Sequence, residues 1–261
     1  MAIYVKQLRD KGIQRPILLV GEYSHFAFDK AADLTGARLV LVPTDAVSKK
    51  VCLHELRKCI NWYGAKNIAA IAVAAPNFPI GVCDDIEGTS KIAKRFNIPC
   101  HVDACLGGFV TMFLEDDDKL KTQQTDFKCE GVTSISLDSH KYGLNGKGSS
   151  LVVFRKSKVV PTMEYINHNA GVYVTPGISG STRGELSVEL YAMLTTIGMK
   201  KFTQNSQSII RTTRDLAKTV NDIPGVKVLG NADELTCVVA VGLDQEYWNG
   251  KAEPNIHAIC D

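Results

Sequence analysis

Residues 68–104, IAAIAVAAPNFPIGVCDDIEGTSKIAKRFNIPCHVDA, contain one complete strand–helix–strand unit and decide the class of the fold. The run 68–75 is apolar throughout, as a strand must be when both faces of its sheet are covered. A stiff turn follows, Pro76-Asn77-Phe78-Pro79-Ile80-Gly81, and then an amphipathic helix is expected over about 84–96 before a second strand at 98–104. Strands that alternate with helices in this way imply a mostly parallel sheet with helices on both faces.

The alternation extends in both directions. Upstream it predicts a helix over 1–11 closed by Gly12, a strand at 17–20, a polar turn at 21–25 and a helix over about 26–34 stopped near Gly36. A strand at 38–42 and a helix over 53–63, with Leu53, Leu56 and Ile60 on one face, complete that half. Downstream, Gly107-Gly108 opens a connection carrying the acidic run 115–118, and further strands are expected at 132–137 and 151–154. Residues 138–150 between those two are too few and too rich in glycine for a crossover helix, so 151–154 is expected to run antiparallel. Beyond it come a loop-like stretch at 161–176, a long helical region at about 184–220 broken near Gly198, and strands at 226–229 and 236–241. This divides the chain into a large domain at 1–160, a loop and helices at 161–222 that complete it, and part of a small α+β domain at 223–261. There is no internal repeat or low-complexity segment.

With 261 residues, 45% hydrophobic content and a net charge of +2, the chain can bury a large core and carries no electrostatic footprint for nucleic acid or an anionic membrane. Its longest apolar run, 68–75, is too short to span a bilayer, and its amino terminus reads as a charged helix rather than a signal peptide. Eight scattered cysteines indicate reduced thiols of a cytoplasmic protein. Cys100, His101, Asp103 and Cys105 come closest to a metal site, but no second half matches them and no metal is expected.

In a sheet of this class ligands lie beyond the carboxyl ends of the strands. Residues there form a coherent set: His25 follows the first strand, Asp103 stands at the end of the fourth, and His140 and Lys141 follow the fifth within SISLDSHKYGLNGKGSS, 134–150. An amine, a carboxylate and a flat imidazole are what pyridoxal phosphate requires: a lysine for the Schiff base, a carboxylate against the ring nitrogen and a side chain against the ring face. Each has a duller alternative, since Asp103 could cap a helix, His25 could be a surface-turn histidine, and Lys141 a solvated loop lysine. Gly146-Lys147-Gly148-Ser149 invites comparison with a nucleotide-binding loop, but such a loop needs glycine where Lys141 stands. Its amides and the Lys147 ammonium suit a different phosphate, with a solvated hairpin lysine as the alternative.

These motifs resemble a known family. HVDACLGGF at 101–109, SLDSHKYG at 136–143, KGSS at 147–150 and HFAFDKAA at 25–32 are similar to the sphingosine-1-phosphate lyases, within the group II decarboxylase-like pyridoxal phosphate enzymes. The resemblance implies the aspartate aminotransferase-like fold type I and a homodimer with sites at the subunit interface. It assigns Lys141 to the Schiff base, Asp103 to the pyridinium nitrogen, His25 to ring stacking, His140 to the cofactor phosphate region and Lys147 to the substrate phosphate. The implied reaction cleaves the C2–C3 bond of a phosphorylated sphingoid base to a long-chain aldehyde and phosphoethanolamine. Relatives of this kind sit on the endoplasmic reticulum membrane facing the cytosol, and the resemblance puts their anchor and their Gly-Gly-Thr-Glu-Ser-like phosphate loop before Met1. The carboxyl end is expected to be shortened as well, with 254–260 similar to later family sequence. Near Gly180-Ser181 the family continues with Arg and Pro-Gly, whereas Thr182 precedes Arg183 here. An amino-acid decarboxylase on the same scaffold and a non-catalytic fragment lacking the phosphate loop remain as alternative readings.

Overall fold

The computed structural model describes residues 1–114, 124–155, 163–167, 169, 171–175 and 183–249. The acidic run 115–118, Gly180 to Thr182 and the family-like segment 254–260 lie outside them. A six-stranded sheet forms the body of the protein: β1 (Ile17–Gly21), β2 (Arg38–Val42), β3 (Ile68–Ala74), β4 (Cys100–Asp103), β5 (Val132–Leu137) and β6 (Leu151–Phe154), in the order β2-β1-β3-β4-β5-β6. The first five are parallel, and β6 runs antiparallel to β5 with Ser136 opposite Val152, as the short 138–150 connection requires.

Side-chain size alternates along β3 and sorts the helices onto the two faces. Ile71 and Val73 join Leu19, Leu56, Ile60, Ile86 and Ile92 in one core layer, beneath α3 (Leu53–Tyr63) and α4 (Ile86–Arg95). Ala70 and Ala72 line the opposite face with Leu18 and Val20, and their small side chains let α1 (Ala2–Arg9) and α2 (Ala27–Thr35) approach closely through Tyr4, Val5, Phe28 and Ala32. Each fully buried Leu, Ile or Val contributes about 1.5–3 kcal/mol to folding. Short α5 (Gly108–Thr111) leads out of the β4 connection, and α6 (Glu185–Asn221) is interrupted at Gly198, whose φ of 69° only glycine adopts freely. Beyond the break, Phe202, Ser206, Ile210, Thr213 and Ala217 form a buried stripe, with Phe202 stacked on Phe113 at 4.9 Å between ring centroids. Before it, Val188, Tyr191 and Leu194 are exposed. No helix among the described residues is long and apolar enough to cross a membrane.

Two expected elements differ. The stretch taken as a loop at 161–176 contains an antiparallel hairpin, β7 (Met163–Asn167) and β8 (Gly171–Thr175), with Tyr165 opposite Tyr173. Asn167 and Gly171, which suggested a loop, are the last register pair of its two strands. The strand expected at 236–241 is displaced to β10 (Val241–Leu243), which pairs antiparallel with β9 (Val226–Val228), beside α7 (Gln245–Trp248). Thr236 is not available for that ladder, because its N–H and hydroxyl both donate to Gly81 O, at 3.3 and 3.1 Å.

Asp84 ties the sheet together at the carboxyl end of β3. Its Oδ2 accepts from Ala74 N and its Oδ1 from Val51 N, both at 2.8 Å, in a side chain only 3% exposed. Burial pushes the carboxyl up to about 6 against the pull of those two donors. The folded state therefore holds a proton that the unfolded chain has lost above about pH 4, so this group's contribution to stability falls as pH rises from about 4 through about 6, by about 3 kcal/mol in all. Urea unfolding of the parent and of Asp84→Asn at both ends of this window should show the parent losing about that much relative to the variant, and a difference that does not change with pH would sink the assignment.

Candidate active site

Strand order reverses between β1 and β3: the chain leaves β1 for β2 on one side and returns to β3 on the other. The loops leaving these two strands diverge, and a crevice opens beyond their carboxyl ends. A cleft of about 270 Å³ lies there, with His25, Pro76, Phe78, Asp103, Asp138 and Lys141 in its wall. Three side chains far apart in the sequence, His25, Asp103 and Lys141, thus meet where the strand pattern places them.

His25 precedes α2 and is exposed; its Nδ1 accepts from Ala27 N at 3.0 Å, which leaves the proton on Nε2. Its ring meets Phe78 edge-on at 5.0 Å between centroids, forming an aromatic wall. Asp103 ends β4 and does not cap α5, whose N-cap is Gly107. Its Oδ1 accepts instead from Cys105 N and from Ser136 Oγ, each at 3.1 Å. The Cys105 thiol, pushed up by burial and then by Asp103, stays protonated.

Lys141 is held by Asp138, a residue the sequence reading passed over. Lys141 Nζ lies 3.0 Å from Asp138 Oδ2, and Ser150 Oγ donates to Asp138 Oδ1 at 2.6 Å. Burial works to raise the Asp138 carboxyl, but hydrogen bonds from Ser150 and Lys141 and the lysine charge outweigh it and hold the carboxyl below its usual range. The signal available in the sequence was the spacing Asp138-Ser-His-Lys141, which puts a carboxylate one turn before the amine.

His140 points elsewhere. Its backbone N and its Nδ1 both donate to Ser149 O, at 3.2 and 2.7 Å, so the ring closes the 139–149 loop rather than facing the cleft. The loop is drawn in further by Ser149 Oγ, which contacts Ser139 Oγ and accepts from Asn145 Nδ2 at 2.8 Å. Gly143 passes so close to Ser139 O that a Cβ there would stand 2.6 Å from it. Lys147 is exposed beside Gly148 and is not among the residues that line the cleft. Arg183 lies at the surface, paired with Glu185 at 2.7 Å.

The cleft suits pyridoxal phosphate by its donor set. It offers an amine, an ionised carboxylate and an aromatic wall, and a further donor stands beside them. Asn77, 2% exposed, accepts at its Oδ1 from Ile80 N and Gly81 N, at 3.1 and 3.2 Å, while its Nδ2 has no partner among the described residues. A second, largely apolar cavity of about 490 Å³ lies between α1, α2 and the β4–β6 part of the sheet, and it shares Asp103 and Cys105 with the first.

The model of the pyridoxal-dependent decarboxylase conserved domain matches residues 4–239. A probable sphingosine-1-phosphate lyase of Legionella pneumophila is 43% identical over 216 residues, 80% of this chain and 34% of that protein. The sphingosine-1-phosphate lyase of Dictyostelium discoideum is 37% identical over 236 residues, 90% of this chain and 43% of that protein. Among solved structures, the sphingosine-1-phosphate lyase of Burkholderia pseudomallei superposes with a TM-score of 0.85 at 31% identity, over 93% of this chain and 54% of that one. A Lactobacillus brevis glutamate decarboxylase, with a TM-score of 0.76 at 20% identity, shares the fold. The chain spans less than half the length of the two relatives matched by sequence.

One hydroxyl joins two buried side chains inside the 139–149 loop. Ser149→Ala removes the acceptor of Asn145 Nδ2 and the partner of Ser139 Oγ, and should lower stability by about 1–3 kcal/mol in thermal or urea unfolding. An unchanged midpoint would mean that the loop is held by other contacts.

Proposed function

The chain belongs to the pyridoxal-dependent decarboxylase family, and from that premise we propose that it carries the active site of a carbon–carbon lyase acting on phosphorylated sphingoid bases. The observation that supports this most directly is the convergence of His25, Asp103 and Lys141 on one cleft at the sheet's switch point. Likeness to the sphingosine-1-phosphate lyases, rather than to the family at large, supports the choice of substrate.

Each side chain has a stated task. Lys141 presents its amine to the cofactor carbonyl, and Asp138, 3.0 Å away, balances the ammonium until that amine is used. Asp103, oriented by its two donors, would pair with the ring nitrogen of the bound cofactor. His25 covers one face of the ring, and Phe78 backs it. When bound, pyridoxal phosphate supplies a sink for the electron pair released as the C2–C3 bond breaks. The Lys141 amine, in the cleft wall, would be the group to take the 3-hydroxyl proton, the C3 fragment leaving as an aldehyde. His140, just before Lys141, closes the 139–149 loop with its Nε2 3.9 Å from Asp138 Oδ2 in the cleft wall, and is assigned to the cofactor phosphate region; the exposed Lys147 ammonium is assigned to the substrate phosphate.

A homodimer fits the surface. The first half of α6 presents Val188, Tyr191 and Leu194, with 68%, 71% and 38% of their surfaces exposed, an apolar stripe that a second copy would cover. The reduced state of the cysteines suits a site that faces the cytosol.

Added pyridoxal phosphate should acquire the visible absorbance band of lysine capture with the parent chain and not with Lys141→Ala; no band in the parent defeats the enzyme reading. A sphingoid base phosphate should yield long-chain aldehyde, whereas carbon dioxide from glutamate or an aromatic amino acid, without aldehyde, assigns the site to an amino-acid decarboxylase. Lys147→Met should raise KM for the phosphorylated substrate roughly tenfold, with little change in cofactor affinity. Equal loss of both would remove Lys147 from the substrate site.

A further inference from the structure

Behind Asp103 runs a buried chain of hydrogen bonds that links it to the first helix. Tyr4 OH donates to Ser134 Oγ at 2.9 Å; Ser134 Oγ lies 2.8 Å from His101 Nδ1; His101 Nε2 lies 3.2 Å from Ser136 Oγ; and Ser136 Oγ donates to Asp103 Oδ1 at 3.1 Å. Tyr4 comes from α1, His101 and Asp103 from β4, and Ser134 and Ser136 from β5, so three elements contribute to one line. Tyr4, Ser134 and His101 are 3%, 1% and 7% exposed, and the half-buried Ser136 and Asp103 carry the line to the wall of the second cavity.

The proton order follows from the Asp103 end. A carboxylate at Asp103 can only accept, so the Ser136 proton points at it. The Ser136 oxygen then accepts from His101 Nε2–H, which leaves Nδ1 of the neutral ring to accept from Ser134. Ser134 in turn accepts from Tyr4 OH, which also lies 2.9 Å from Thr133 Oγ1, whose own proton goes to Cys100 O. Every hydrogen along the line points toward Asp103, and each bond polarises the next. Burial lowers the imidazole to about 4, with Asp103 opposing, so His101 stays neutral and the line stays intact at physiological pH.

We propose that His101 is a positioning residue of the active site: locked as the Nε2–H tautomer between Ser134 and Ser136, it aims the Ser136 proton at Asp103 and so holds that carboxylate charged and oriented for the cofactor ring nitrogen. This rests on the reading of Asp103 given above. Tyr4 sets the direction of the relay from outside the sheet, which makes α1 a participant in the chemistry and not only a cover for the alanine face. A purely structural network would satisfy the same buried groups but would have no preference for a ring nitrogen in the ligand.

Two measurements separate these cases. In ¹⁵N-histidine spectra of the chain without cofactor, the signal lost in His101→Gln should belong to a neutral imidazole protonated at Nε2, unchanged down to about pH 5; an Nδ1–H or charged ring overturns the relay. Ser136→Ala and His101→Leu should weaken pyridoxal phosphate binding roughly tenfold or more, Tyr4→Phe less, and His101→Gln should recover part of the loss. With an analogue carrying carbon in place of the ring nitrogen, the same variants should bind like the parent. Equal losses for cofactor and analogue, or no loss for either, would overturn the role. Ser136→Ala and Tyr4→Phe carry the test if His101→Leu does not fold. If the parent captures no cofactor, the proposed function fails by itself, and the tautomer alone decides whether the relay exists.

Discussion

Central strands of a parallel sheet end in backbone groups that the neighbouring strands no longer pair, and in this protein buried carboxylates help to meet that demand. Asp84 takes Ala74 N at the end of β3 and Val51 N from the connection after β2. Asp103 takes Cys105 N just beyond β4 and the Ser136 hydroxyl from β5. Asp138, after β5, takes the Ser150 hydroxyl from the approach to β6 and the Lys141 ammonium. A buried carboxylate is costly unless several donors converge on it. Here the donors are supplied by chain that must turn at the sheet end in any case. The crevice and its charges therefore have a common origin: where the strands stop pairing, anions are stabilised.

The three carboxylates divide according to what surrounds them. Asp84 is so deeply buried that desolvation prevails and its carboxyl rises to about 6. Asp138, with a lysine and a serine directly on it, moves the other way despite its burial. The difference follows from the donors, two backbone N–H groups in one case and a full positive charge in the other. The first carboxylate fastens the sheet, and the second holds the lysine that the chemistry needs.

Much of this was legible in the sequence, because the strands are short, apolar and separated by amphipathic helices. Ile71 and Val73 alternating with Ala70 and Ala72 record which face carries the closely packed helices, and the brevity of 138–150 foretold the direction of β6. His25, Asp103 and Lys141 were readable because each follows a strand and has a side chain unusual for that place. The hairpin at 163–175 was obscured because its strands have only five residues each and meet at Asn167 and Gly171, residue types that read as loop. The displacement of β10 followed from a contact with Gly81, about 155 residues away in sequence, which no local pattern reports. Asp138 and His101 were hidden for a related reason: their importance lies in partners on adjacent strands, and a register is not written in either strand alone.

That register is also what joins fold to chemistry. Because β4 and β5 pair with His101 opposite Ser134 and Asp103 opposite Ser136, two serines on one face of β5 fall beside an imidazole and a carboxylate on β4. A slip of β5 by one residue would turn its two serines to the other face and put apolar groups against Asp103. The large residues of the α3 and α4 face oppose that slip, since Val102 and Ile135 must remain in their layer with Val73. The hydrophobic core on one side of the sheet thereby sets the polar alignment on the other. The precision of the site derives from packing that never touches it, and α1 completes the arrangement by bringing Tyr4 to the end of the line.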